Sequence, residues 1–172
     1  MYQGTYRSPL GDITLQSDGS YLTALYFIGQ KYDGTISDGP YHSFENHPLY
    51  VKIVTWLTQY FEGKNPSPQA IPLAPKGTVF QKRVWQKLLH IPYGMVTTYG
   101  TIAAIIAAEN GQEHFSAQAV GSAVGHNPIS IIIPCHRVIG KNGSLTGYAG
   151  GLDRKDWLLR HEKETCSTTK LV

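Results

Sequence analysis

A chain of 172 residues with 41% hydrophobic content can build one core or two small ones, and it carries no apolar run long enough for a membrane-spanning helix. Its two cysteines, Cys135 and Cys166, form neither a zinc spacing nor a disulfide framework, which excludes a cysteine-stapled secreted scaffold and fits a reducing, cytoplasmic compartment. The net charge of +3 is uneven: residues 1–75 hold four basic and six acidic side chains, residues 76–172 eleven and six, so the second half is the one compatible with nucleic acid.

The N-terminus lacks a basic stretch leading into an apolar one, so no signal peptide is expected. Residues 2–28 predict β structure. Ser8-Pro9-Leu10-Gly11 is a turn, Ile13 and Leu15 share one face, and Asp18-Gly19 is a hairpin signal before a strand with Leu22, Leu25, Phe27 and Ile28. Residues 29–46 read as loop, and His42 and His47 in or beside it have no ligand partners at useful spacing. Residues 48–62 predict a helix, opened by Pro48, striped by Ile53, Trp56, Leu57, Tyr60 and Phe61, and ended by Gly63. Four prolines then mark a linker over 64–77 and the expected boundary between a domain at 1–75 and another at 76–172.

Thr78 caps a predicted helix reaching Leu89, with Phe80, Val84, Trp85 and Leu88 inward and Lys82, Arg83 and Lys87 outward. Thr98 caps a second helix ending near Ala108, and Ser116 caps a third from Ala117 to about Val124. Helix, glycine-containing turn and helix make a helix-turn-helix pattern. The last helix is built of small residues and accepts Gly121 at a cost in helix propensity, which fits a close approach by a narrow minor groove or by a neighbouring backbone. Against DNA stands a gap: from Leu88 through His136 there is no Lys or Arg, while Glu109 and Glu113 are present. Counterion release would then be small, and weak DNA affinity with a shallow salt slope is expected.

The run Ile131-Ile132-Ile133-Pro134-Cys135-His136-Arg137-Val138-Ile139 organises the chain. Its β-branched flanks predict short buried strands turning at Pro134, a rigid place for a nucleophile. Free thiol is only about a few per cent thiolate at neutral pH, so His136 is a candidate base or relay. Beyond it come a predicted hairpin turn at Lys141–Ser144, a glycine-rich loop over 146–151, a final helix capped by Asp153, and a frayed tail over 164–172 with Cys166 incidental.

The Pro-Cys-His-Arg-Val run resembles the active-site motif of the O6-alkylguanine-DNA alkyltransferases (methylated-DNA–protein-cysteine methyltransferases), and the similarity extends over residues 78–163. The resemblance implies an α+β or α/β chain: a small ribonuclease-H-like N-terminal domain and a winged helix-turn-helix-like C-terminal domain. It implies that Cys135 accepts the alkyl group once and irreversibly from O6-alkylguanine, and from O4-methylthymine, without cofactor or metal. His136 and Glu162 match a cysteine–histidine–water–glutamate relay. Asn127 matches the residue that organises the turn, and Tyr99 the tyrosine that helps rotate the nucleotide out and donates toward guanine. The carbonyls of Cys135 and Val138 would accept from the guanine 2-amino group, and the Tyr148-Ala149-Gly150 loop would close over the base beside Ser130. Thr98, Tyr99, Ala117, Gln118, Gly121 and Ser122 would meet DNA in the minor groove, with the protein acting as a monomer on a flipped base.

Three positions depart from the family pattern. Gln118 replaces the usual intercalating arginine, Ser130 a proline found in some members, and Ala149 a serine. A lesion-binding sensor without chemistry is the nearest rival reading, and Cys135 argues against it, since such proteins typically carry tryptophan there. A winged-helix transcription factor and a cysteine hydrolase find no further support.

Overall fold

In the computed structural model, residues 1–30 and 39–170 are described. They form two units, Met1–Lys76 with Pro128–Ile132, and Gly77–Asn127 with Ile133–Val172. The Pro128–Ile132 segment thus counts with the first unit, although in sequence it lies deep in the second half. It does so because Ile129 bridges Leu25, with Leu25 N donating to Pro128 O (2.9 Å) and Ser130 N to Leu25 O (2.9 Å).

The first unit is a meander. β1 (Tyr2–Ser8), β2 (Gly11–Ser17) and β3 (Leu22–Phe27) pair antiparallel, and the two-residue β4 (His42–Ser43) adds parallel to β1. The predicted turns hold. Asp18 Oδ1 accepts from the N–H groups of Ser20 and Tyr21, which fixes the bend between β2 and β3. β2 departs from the expected alternation, since Ile13 to Ser17 are all buried. Its polar members are satisfied: Gln16 Nε2 donates to Gln3 Oε1 (2.8 Å) and Ser17 Oγ to Tyr21 O (2.7 Å). Ile28, placed in the strand by its hydrophobicity, is 55% exposed and lies just beyond it. α1 (Pro48–Phe61) has His47 as N-cap, whose Nδ1 accepts from Leu49 N, and buries Leu49, Ile53, Trp56, Leu57 and Tyr60. Of the predicted 29–46 loop, residues 31–38 lie outside the described residues.

The second unit opens with α2 (Val79–Leu88), held by a full capping box in which Thr78 and Gln81 each satisfy the other's backbone N–H. Its Trp85 is 1% exposed and donates Nε1 to Ala123 O, tying α2 to the end of α4. The two-residue β5 (Thr97–Thr98) leads into α3 (Tyr99–Glu109), and Ser116 caps α4 (Ala117–Gly125), the predicted helix-turn-helix pair. Its core is Val84, Leu88, Ile102, Ile106, Val120 and Val124.

The isoleucine run is not a strand. Ile131 sits at φ 70°, unusual for a β-branched residue, with Ile132 N donating to Ser130 O. Pro134 (φ −81°, ψ 64°) centres a second three-residue turn, with Cys135 N donating to Ile133 O (2.8 Å). Tertiary burial of three isoleucines at 1% exposure each overrides their β propensity. Cys135–Arg137 then form one 3-10 turn, and only Val138–Ile139 become a strand, β6, parallel to β5.

Lys141–Gly143 is likewise a 3-10 turn and not a hairpin, because no strand follows it. The last helix, α5, runs from Leu152 to Lys170, so the expected fraying from residue 164 does not occur there. Thr165 Oγ1 meets the Tyr93 hydroxyl at 2.6 Å and Cys166 Sγ approaches Tyr93 O at 3.7 Å, which holds that turn down. Asp153 lies within the first turn of α5 rather than capping it, where it complements the helix dipole. No described helix is long and apolar enough to cross a membrane.

Candidate active site

Three buried segments converge in the second unit: the turn after α4, the Cys135–Arg137 turn, and the middle of α5. Asn127, 6% exposed, donates Nδ2 to Ile133 O at 2.9 Å and so pins the turn before Pro134. Its side chain also hydrogen-bonds Cys135, which favours thiolate. Cys135 is 7% exposed, and burial nonetheless pushes its thiol above the ordinary value, against the pull of Asn127, the Lys155 charge and backbone N–H groups. The resting sulfur is therefore protonated and needs a base.

The candidates are His136 and Glu162. Both are essentially inaccessible, and His136 Nε2 meets Glu162 Oε2 in a short hydrogen bond. Glu162 Oε1 accepts from Arg137 Nε (2.7 Å) and from Gly94 N (3.2 Å). Burial opposes a charge on Glu162, but His136 and Arg137 together hold its carboxyl far below the usual range. Burial drives His136 the other way, below its ordinary value, against the attraction of Glu162. At neutral pH the pair is a carboxylate and a neutral imidazole. A carboxylate only accepts, so the ring proton sits on Nε2 and Nδ1 presents its lone pair. Among the described residues, Nδ1 has no hydrogen-bond partner within the protein. A free imidazole lone pair can accept a proton.

Both shifts carry one sign for stability. The unfolded chain binds protons that the folded His136 and Glu162 refuse, so this stabilisation is complete above about pH 6.5. It is lost as pH falls, first below 6.5 and then more steeply below 4.5. Urea midpoints measured from pH 8 to pH 4 should therefore decline on the acid side.

Lys155 was missed in the sequence. Its side chain is fully buried, with Nζ donating to Val138 O (2.6 Å) and Thr146 O (2.7 Å). Burial lowers its ammonium to about 8, against the attraction of Cys135. The signal was helical spacing, since Lys155, Leu158 and Glu162 share one face of α5. With Arg137 and Lys155 against Glu162, the buried charges leave room for one more negative charge, that of a thiolate. The Val138 carbonyl, expected to receive a substrate amino group, accepts Lys155 here; a carbonyl can accept twice.

A cleft of about 720 Å³ is lined by Thr98, Tyr99, Gly100, Thr101, Ala104, Ala117, Gln118, Gly121 and Lys141. It gathers five of the six expected DNA contacts; Ser122 is exposed outside it, its carbonyl taken by His126. Tyr99 donates its hydroxyl to Thr146 O (3.2 Å), the carbonyl that also accepts Lys155, and so links cleft and buried site. A Cβ on Gly121 would meet only the Tyr99 ring, at 3.7 Å, so no neighbouring backbone accounts for this glycine. Tyr148 and Ala149 are half-buried and Gly150 buried in the loop before α5. Ser130 lies in the first unit, 2% exposed. Arg83 and Lys87, expected to face out, both pair with Glu109, at 2.8 and 2.6 Å.

Fold and site define a helix-turn-helix protein carrying a buried Cys-His-Glu set. The chain belongs to the 6-O-methylguanine DNA methyltransferase family, whose ribonuclease-like domain matches residues 1–75 and whose DNA-binding domain matches residues 79–164. It is 41% identical over 163 residues to a methylated-DNA–protein-cysteine methyltransferase of Haemophilus influenzae, covering 95% of this chain and 87% of that one. A relative of the same name from Methanosarcina acetivorans is 43% identical, covering 94% and 98%. The crystal structure of Mycobacterium tuberculosis OGT in complex with DNA superposes with a TM-score of 0.82 at 42% identity, covering 96% and 94%.

Proposed function

We propose that this protein is a methylated-DNA–protein-cysteine methyltransferase that repairs O6-alkylguanine in DNA, and O4-methylthymine, by one irreversible transfer to Cys135. The observation that carries the reading is the hydrogen bond between His136 Nε2 and Glu162 Oε2, with Nδ1 left without a partner among the described residues, in the residue adjoining the cysteine. The thiol proton passes through water to Nδ1, and the sulfur attacks the alkyl carbon. A C–S bond forms and the C–O bond breaks, its electron pair staying on guanine, which regains a proton while Tyr99 donates toward the ring. The thioether is not hydrolysed, so each chain acts once.

The target atom lies inside the duplex, so the base must flip. Thr98, Tyr99, Ala117, Gln118, Gly121 and Ser122 face the minor groove in this reading. Tyr148, Ala149 and Gly150 close over the base, and Val138 accepts from its amino group. The protein works as a cytoplasmic monomer without cofactor. Incubation with increasing duplex carrying O6-methylguanine tests the whole: guanine regenerated should plateau at one per chain. Continued turnover, or lesion bound and unchanged, contradicts it.

Gln118 fills space behind a flipped base but brings no charge. Gln118→Arg should tighten duplex binding and raise the single-turnover rate several-fold, measured by titration and by rapid quench. Unchanged values would make the residue irrelevant to flipping.

A further inference from the structure

We infer that Lys141 is the phosphate anchor of this site, gripping a backbone phosphodiester of the DNA strand that enters the cleft between α3 and α4; the inference rests on the DNA-directed reading above. Every other residue lining that cleft is uncharged. The surrounding sequence is short of alternatives. Between Leu88 and Gly140 the sole Lys or Arg is Arg137, and it is buried and bound to Glu162. Earlier in the unit, Arg83 and Lys87 on α2 are committed to Glu109 at the C-terminal end of α3, and Lys82, exposed on α2, is not among the residues that line the cleft. Lys141, by contrast, is exposed, and among the described residues its ammonium has no ion-pair partner.

Its position is held from both sides. β6 pairs with β5 in the register Thr98↔Ile139, so the chain leaves the sheet beside the N-cap of α3 two residues before Lys141. The turn itself is closed by Gly140 N to Ser144 O (2.8 Å) and Gly143 N to Gly140 O (3.1 Å). Asn142 (φ 66°) and Gly143 (φ 79°) adopt the left-handed backbone that this requires. A Cβ on Gly140 would fall 2.4 Å from Ser144 Oγ, so the turn is tight as well as closed. Gln118 and Lys141 therefore border one cleft, the first neutral and the second cationic. The charge missing from α4 is supplied by the turn six residues after Cys135.

The test is binding to an O6-methylguanine duplex as a function of salt, for the parent, Lys141→Gln and Lys141→Arg, with methyl transfer followed in parallel. Loss of one phosphate contact lowers the log–log salt slope by about 0.9 and low-salt affinity by about tenfold. Lys141→Gln should show both and Lys141→Arg neither. An unchanged slope in Lys141→Gln, with the parent still transferring methyl, overturns the assignment alone. A parent that transfers nothing while its slope still depends on Lys141 overturns the reaction and leaves the phosphate contact standing.

Discussion

Glu162→Gln should slow single-turnover methyl transfer by about 10²- to 10⁴-fold at neutral pH, the range spanned by loss of a general base. The carboxylate serves three donors at once, and an amide cannot. Arg137 is 7% exposed, and a buried guanidinium stripped of its acceptor costs about 3–5 kcal/mol, so the amide oxygen stays with Arg137 and Gly94. The amide NH₂ then faces His136 Nε2 and forces the opposite tautomer, with the proton on Nδ1. The lone pair that receives the thiol proton is gone. A pH profile separates this from general damage: the variant should regain rate toward alkaline pH, where thiolate forms without a base. A variant within threefold of the parent at pH 7 would mean that Glu162 only braces the fold.

Lys155→Met should have the second-largest effect, on stability and on thiol acidity together. Methionine fills much of the stem's volume but leaves Val138 O and Thr146 O without their strong donor. An unsatisfied buried carbonyl costs about 1–3 kcal/mol, and Tyr99 still serves Thr146, so a net loss of about 2 kcal/mol is expected in urea unfolding. Without the ammonium, the Cys135 thiol moves further up from a value that burial has already raised. Thiolate absorbance in the ultraviolet, followed against pH in a Cys166→Ser background, should show the shift, and transfer at pH 7 should fall about tenfold. Unchanged thiol acidity would reduce Lys155 to a brace for two loops.

Much of this was legible in the sequence because it rested on local rules. Thr78, Thr98 and Ser116 cap helices through side-chain oxygens that bond a backbone N–H three residues on, a pattern that needs no tertiary information. Asp18-Gly19 announced its turn for the same reason. Long-range packing was not legible. Three consecutive isoleucines read as a strand, yet the chain turns through Ile131 at positive φ, since burying all three outweighs their backbone preference. The extent of α5 past residue 164 depends on Thr165 and Cys166 meeting Tyr93, more than 70 residues away in sequence. Cys135 and His136 stood out in the run around Pro134 as thiol and candidate base, whereas Glu162 came only from the resemblance. Arg137 as the second charge on Glu162 and Lys155 as the buried cation required coordinates, because lysine at a helical spacing is usually solvated.

The most direct test is the intact mass of the parent and of Cys135→Ser after incubation with an oligonucleotide carrying O6-methylguanine. The account predicts one added methyl group on the parent, complete within a single turnover, located at Cys135 by peptide mapping, and absent from the serine variant. An unmodified parent that holds the lesion, or a methyl found on Cys166, would contradict it.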